Sequence, residues 1–264
     1  MKGKDDESRH LSQRATLLES WYRLLWLYGK RELSKPSDKL PAISGLASIF
    51  AERLGDEYIA GLWRSDIIEG LCWTGSNCTR VRAYRAPSWS WASVDGIVCL
   101  SLPQEKDTLV DILDAQITLK GANPYGEVTE GRITLRAPME RLYLTAEDLN
   151  LARTAGGRKT RPKFSVEGGE AGDVVYQFDD EVAEESLEEA AKKAEDLQAG
   201  QLFVLLMMKM VGFGDEDFPY FGLIVTKVGE SEYQRLGWIR LQGQALRERL
   251  EKQRDDKLPK ITLV

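Results

Sequence analysis

Downstream of Gly96 the apolar residues stop recurring at every third or fourth position and come instead in short runs. "GIVCLSL", "LVDILDAQITLKG", "GRITLRAPM", "RLYLT", "DVVYQF", "LFVLLMMKM", "YFGLIVTKV" and "YQRLGWIRL" follow one another, with period-two or β-branched character. Turn residues separate several of them: "NPYG" at 123–126, "EGR" at 130–132 and "VGES" at 228–231. Successive side chains on a strand point to opposite faces, so short alternating runs bury their apolar face only by pairing with one another. A succession of them predicts an antiparallel sheet folded into a sandwich or an open barrel. "KITLV" at the C terminus reads as a last short strand.

Upstream the pattern is helical. Leu11, Leu17, Leu18, Trp21, Leu24, Leu25 and Tyr28 recur at steps of three and four after a longer first step. They predict a helix over 8–29 with one broad apolar face, stopped by Gly29. A second helix is expected from an N-cap at Ser37 or Asp38, with Pro41 in or near its first turn and Gly55 at its end. Its buried stripe would be Ile43, Leu46, Ala47, Ile49 and Phe50. A third, shorter helix is expected to hold Tyr58, Leu62, Trp63, Ile67, Ile68 and Leu71, before a loop at "GSN" 75–77. The expected fold is α+β: a helical block over 1–84 packed on a β-rich domain over 85–264. Within that domain, 152–172 is rich in Gly and charge and reads as a long mobile loop. Residues 180–198 read as an inserted acidic helix with Glu188–Lys192 and Glu189–Lys193 at i,i+4 spacing. "QALRERLEKQRDD" reads as an exposed helix.

Bulk properties bound the partners. The chain has 264 residues and a net charge of -6, which supplies no general attraction to nucleic acid or to an anionic membrane. Its longest apolar run, "LFVLLMMKM", falls short of the ~20 residues a spanning helix needs. The charged start "MKGKDDESRH" has no signal-peptide core. Three cysteines, Cys72, Cys78 and Cys99, are too few and too irregular for a disulfide framework and fit a reducing compartment. A soluble, cytoplasmic protein is expected.

Catalytic equipment is sparse. His10 is the only histidine, so HExxH, multi-His zinc and two-His iron sites are impossible. Its place in a charged N-terminal arm is poor for a buried base, and it reads as an ordinary surface residue. No CxxC pair exists. Of the thiols only Cys78, near Arg80 and Arg82, hints at a stabilised thiolate, against a bystander role for all three. "VGFGDEDF" at 211–218 lacks the third glycine of a dinucleotide loop, and "AISGL" at 42–46 places Ser44 inside a helical pattern rather than on a nucleophile elbow. Asp38, Asp66, Asp95 and Asp114 could supply a pair of hydrolytic carboxylates if folding brought two together. "GRKTRPK" at 157–163 is basic but has no interleaved aromatics, and reads as a solvated loop or a protein-partner or targeting tag. No catalytic, cofactor-binding or metal-binding residue is assigned, and no cofactor is expected.

The tryptophans carry more information. In "RAPSWSWASVDG", Arg85 to Gly96, Pro87 cannot sit inside a central ladder and is expected to open a strand. Trp89 and Trp91 would then share one face of it. Burying one Trp removes roughly 200 Å² from water, a gross gain of about 5 kcal/mol. The pair reads as the joint between helices and sheet; the alternative is an aromatic platform for a sugar or a base.

"WYRLLWLYGKREL", "DKLPAISGLA", "YIAGLW", "LCW" and "APSWSWAS", in this order, resemble the region downstream of the HET domain in fungal heterokaryon-incompatibility proteins. "GRITLRAP", "YQRLGWIRL" and the terminal "ITLV" fit that family's β-rich tail. The resemblance covers nearly the whole chain and is strongest over 20–96. The "GYxWG"-like, "DalCINQ"-like and "RGWxxQE"-like motifs of the HET domain itself do not occur. The family's TIR-like effector module is thus missing, and none of its functional residues transfers to a position here. The chain reads as a fragment, a truncated gene model or a free-standing downstream module. What the resemblance implies is a part in non-self recognition and programmed cell death. For this chain the expected role is that of a non-catalytic interaction or regulatory module with a protein partner, no nucleic acid and no membrane. Two rivals stand beside it: a carboxylate-based hydrolase using Trp89 and Trp91 as a platform, and a remnant that cannot fold without the missing domain.

Overall fold

The structure, a computed structural model, describes residues 2–100, 105–144, 164–166, 169–170, 173–179, 202–211, 219–243, 248–250 and 258–264. The expected acidic helix over 180–198 lies outside the described residues, as does most of the expected loop over 152–172, of which 164–166 and 169–170 are strand. Of the helix expected over 244–256, the described residues 248–250 are helical. The chain divides into two compact units. The first is Met1–Ser101 with Gln116–Gly131, the second Leu102–Ala115 with Arg132–Val264. Residues 85–101, which sequence reasoning places with the strands, group with the helices.

In the first unit, α1 (Lys2–Gly29) buries Trp21 and Leu25 and half-buries Leu17, Leu18, Leu24 and Tyr28. Leu11 does not join that face and is 64% exposed. The helix ends at Gly29, which must be a glycine for a long-range reason: a Cβ there would lie 2.5 Å from the Gly96 carbonyl oxygen. The expected N-cap at Ser37 or Asp38 does not form. Pro36 and Pro41 each open a short 3-10 turn instead, because a residue without N–H fits a first turn. The second helix, α2 (Ser44–Leu54), starts without a side-chain cap and ends at Gly55 in the left-handed region, φ 60. It buries Ala47, Ala51 and Leu54, so the stripe is rotated from the expected one and Leu46 and Ile49 face outward.

The third expected helix is mostly a hairpin. β1 (Tyr58–Ile59) pairs antiparallel with β2 (Leu62–Trp63), Ile59 opposite Leu62. Ala60 and Gly61 between them have φ 45 and 105, the double positive φ that a two-residue hairpin turn requires. Of the expected helix only the end is helical, a 3-10 turn over Arg64–Asp66 followed by α3 (Ile67–Leu71). β3 (Thr74–Arg80) then pairs antiparallel with β4 (Val94–Cys99). "GSN" 75–77 lies within β3 rather than in a loop; the register shifts between Ser76 and Thr79, with Asn77 at φ 52.

The remaining strands, in chain order, are β5 (Lys106–Thr108), β6 (Asp111–Leu119), β7 (Val128–Arg136), β8 (Met139–Leu144), β9 (Phe164–Val166), β10 (Gly169–Glu170), β11 (Asp173–Phe178), β12 (Leu202–Met210), β13 (Tyr220–Lys227), β14 (Glu232–Gln242) and β15 (Lys260–Leu263). They form one sheet, eleven strands among the described residues. Its spine is the antiparallel meander β12–β13–β14. The sheet forks at both outer strands of this spine. β12 takes β8 along 203–205 and β5 along 208–210. β14 takes β15 at 232–233 and β11 along 237–242. Each fork falls at a β-bulge. The extra residue supplies a carbonyl to the chain that branches off: Met207 to the Leu109 N–H and Leu236 to the Asp179 N–H. β14 and β15 run parallel, so the sheet is mixed although most of its pairs are antiparallel.

Val204, Leu206, Ile224, Ile239 and Leu241 centre the core of this unit, with Tyr176, Tyr220 and Leu142 around them. β13 is buried from Tyr220 to Val225, on both faces, which explains the near-continuous apolar run "YFGLIV". At the β14 fork Arg235 bonds Asp179 with both arms, at 2.8 and 2.9 Å, and both side chains are almost fully buried. The α+β class read from the sequence therefore holds.

Candidate functional site

The segment from Arg85 to Ser93, on which sequence reasoning concentrates, is not a strand; β4 begins only at Val94. Ser90 N–H bonds the Pro87 carbonyl and Ser93 N–H bonds that of Ser90, both at 3.0 Å, which makes two consecutive turns. The second is a 3-10 turn, Trp91–Ser93, capped by the Ser90 hydroxyl accepting from Ala92 N–H at 3.1 Å. The segment's serines Ser88, Ser90 and Ser93 are all buried.

Both indoles are shut away, with Trp89 0% and Trp91 2% exposed. The contacts of each lie within the first unit. Trp91 Nε1 donates to the Gly61 carbonyl at 2.9 Å, and its ring meets Tyr28 edge-on at 6.0 Å. The neighbouring Ala60 carbonyl accepts from Ser90 Oγ at 2.5 Å. The Ala60–Gly61 turn and the Ser90–Trp91 turn thus lock each other, and Gly61 is obligatory twice over: a Cβ there would sit 2.4 Å from Trp91 Nε1. The Trp89 carbonyl accepts from Trp73 Nε1 at 2.9 Å. Its ring closes over Gly131, where a Cβ would come within 2.8 Å of it. No stacking face is left for a sugar or a base, so the platform expected by the hydrolase reading is absent.

The candidate carboxylates have separate employment. Asp95, half-exposed on β4, receives Lys39 at 3.3 Å and Arg85 at 3.0 Å on the same oxygen. Asp66 accepts the Tyr22 hydroxyl, and burial together with that carboxylate pushes the Tyr22 phenol well up from its ordinary range. Asp38 accepts only a long bond from Ser37 Oγ, at 3.5 Å. Asp114 is exposed on β6. Asp38 and Asp95 both act on Tyr28, whose phenol is pushed up to about 12, mainly by burial. Asp38, Asp66 and Asp95 thus accept from different donors, and among the described residues no group of three His, Cys, Asp or Glu could hold a metal. Sequence reasoning missed Asp56. It bonds Arg14 at 2.7 Å, Ser65 Oγ at 2.5 Å and the Glu57 N–H at 2.8 Å, tying α1 to the chain around the β1–β2 hairpin.

The thiols are internal. Cys72 and Cys78 are buried and Cys99 half-buried, none in a disulfide. Cys78 Sγ donates to the Ser76 and Ile97 carbonyls at 3.8 and 3.7 Å and rests against Gly75 and Gly96, an environment that does not favour a thiolate. The side chain of His10, the segment "GRKTRPK" and most of "VGFGDEDF" lie outside the described residues. Among the described residues no helix is long and apolar enough to cross a membrane. No family model, no curated protein and no solved structure matches the chain.

Proposed function

We propose that this chain is a non-catalytic interaction or regulatory module of the kind found downstream of the HET domain in heterokaryon-incompatibility proteins. Its part is in fungal non-self recognition and cell death, through a protein partner in the cytoplasm. The observation that carries the reading is the internal use of the resembling segments. "YIAGLW" and "APSWSWAS" spend their polar atoms on each other, through Ser90 to Ala60 and Trp91 to Gly61. A signature whose residues hold a fold together, rather than lining a reactive centre, is what a scaffold module supplies.

The test is expression in a filamentous fungus, alone and together with a HET-domain protein. Alone, the chain is expected to leave growth and vital-dye exclusion unchanged; together, it alters the extent of death. Trp91→Ala, which removes the lock, abolishes that effect. Turnover of a glycoside or ester that falls with Asp95→Asn would replace this reading with the hydrolase one.

A further inference from the structure

Two buried cations in the first unit share a single, half-exposed carboxylate. Lys39, from the Pro36–Lys39 turn, is 2% exposed and Arg85 8%. Both bind Asp95 Oδ1. Arg85 also donates through Nε to the Ala92 carbonyl at 2.7 Å and through Nη1 to the Pro36 carbonyl at 3.1 Å. Its Nη2 is buried with no acceptor among the described residues. The Lys39 ammonium has three donors, and among the described residues its one hydrogen bond is to Asp95. Asp38 pairs with neither cation; Tyr28 gives Lys39 only its ring face, 5.5 Å from the ammonium, while its hydroxyl donates to the Lys39 carbonyl. Burial pushes the Lys39 ammonium below its ordinary range, opposed by Asp95 and reinforced by Arg85.

Two cations against one carboxylate leave an uncompensated positive charge in a desolvated place. A neutral acceptor would satisfy the Arg85 donors but would not answer the charge. An oxyanion does both, and a guanidinium edge beside an ammonium suits it. The solvent side of the cluster is Asp95, 51% exposed, so an incoming anion meets that carboxylate first. Asp95 is already half in water, and a dianion that displaces it takes over its ion pairs with both cations rather than leaving them bare. We propose that Lys39 and Arg85 form a binding site for a phosphate dianion, with Asp95 as the internal stand-in that the phosphate displaces. The ligand is either free phosphate or a phosphate monoester on a larger molecule.

The experiment follows thermal unfolding and tryptophan fluorescence of the full chain at fixed pH and ionic strength while phosphate replaces chloride. Trp91, in ring contact with Tyr28, is the reporter. Wild type is expected to show a saturable rise in melting temperature. Asp95→Asn, which removes the competing charge, should bind phosphate about tenfold more tightly. Lys39→Met should lose the response. Glycerol phosphate run in parallel separates the two sources, since an ester site prefers it at equal concentration and a free-ion site does not. The proposal fails if neither wild type nor Asp95→Asn responds beyond the chloride control, or if the response persists in Lys39→Met. Should Lys39→Met not fold, the wild-type and Asp95→Asn titrations decide alone.

Discussion

In the first unit, side chains reach across the sequence to backbone carbonyls: Trp73 to Trp89, Ser90 to Ala60, Trp91 to Gly61, Arg85 to Pro36. In the second, backbone meets backbone along β12, β13 and β14, and the side chains are mainly aliphatic filling. Two strands of the first unit, β1 and β2, are only two residues long, so ladders hold less of it. Its aromatic cluster compensates: Trp21 meets Phe50, Tyr58 and Trp63 at 5.2–5.9 Å. A region held by particular donors depends on residue identity, whereas a region held by ladders depends on pattern. Tolerance to substitution should therefore differ between them.

The largest expected effect tests this directly. Trp91→Ala removes a fully buried indole and leaves the Gly61 carbonyl unpaired, at a cost of about 3–5 kcal/mol. Trp91→Phe keeps much of the area but loses the bond, at about 1–3 kcal/mol. Denaturant unfolding measures both. A loss below 1 kcal/mol for Trp91→Ala would break the comparison.

Arg235 is the place where the second unit behaves like the first. Arg235→Met strands the buried Asp179 carboxylate and should cost about 3–5 kcal/mol. Adding Asp179→Leu should recover most of that loss, because an apolar pair of similar size removes the desolvation cost as well. A double variant as unstable as the single one would show that the pair organises the fork beyond its own charge.

Away from that pair the sheet should be forgiving. Ile224→Val, in the middle of β13, should cost only about 0.5–1.5 kcal/mol. A larger loss than for Trp91→Phe would reverse the contrast.

The same contrast explains what could be read in advance. β6, β7, β12, β13, β14 and β15 stand close to where their apolar runs put them, because alternation and turn residues are local signals. Gly55 and Gly29 stop their helices as expected. The misreadings cluster in the first unit. Tyr58, Leu62 and Trp63 fit helical spacing, and only Gly61 hints at the hairpin turn. "SWSW" alternates like a strand, yet Ser90 turns inward to cap a turn, a choice set by the Ala60 carbonyl thirty residues away. Lys39 and Arg85 give no sign of burial, since their shared partner Asp95 is remote in sequence. Identity-dependent contacts are long-range, so one sequence shows the residues but not their pairing.

The smallest effect probes the edge of the side-chain network. The Tyr28 hydroxyl donates to the Lys39 carbonyl at 2.8 Å, and its loss in Tyr28→Phe should cost only about 0.5 kcal/mol at neutral pH. Its signature lies in alkali. The folded-state phenol titrates near 12 against 10.0 when unfolded, so the folded chain keeps its proton longer. The stabilisation is complete below pH 10.0 and is lost as the pH climbs towards about 12. With solvent screening of a half-buried group, the total is no more than about 1 kcal/mol. Lys39 works in the opposite sense and earlier: its lowered value makes stability rise as the pH approaches 10.5. Stability should therefore climb towards pH 10.5 and then fall, and the raised phenols of Tyr22, Tyr58, Tyr84 and Tyr233 share in the fall. Tyr28→Phe should make the fall shallower by its own share, about 1 kcal/mol at most, and spare the climb. An unchanged slope between pH 10.0 and about 12 would mean that the phenol does not belong to the network, and that the identity-dependent region is smaller than the contacts around Trp91 imply.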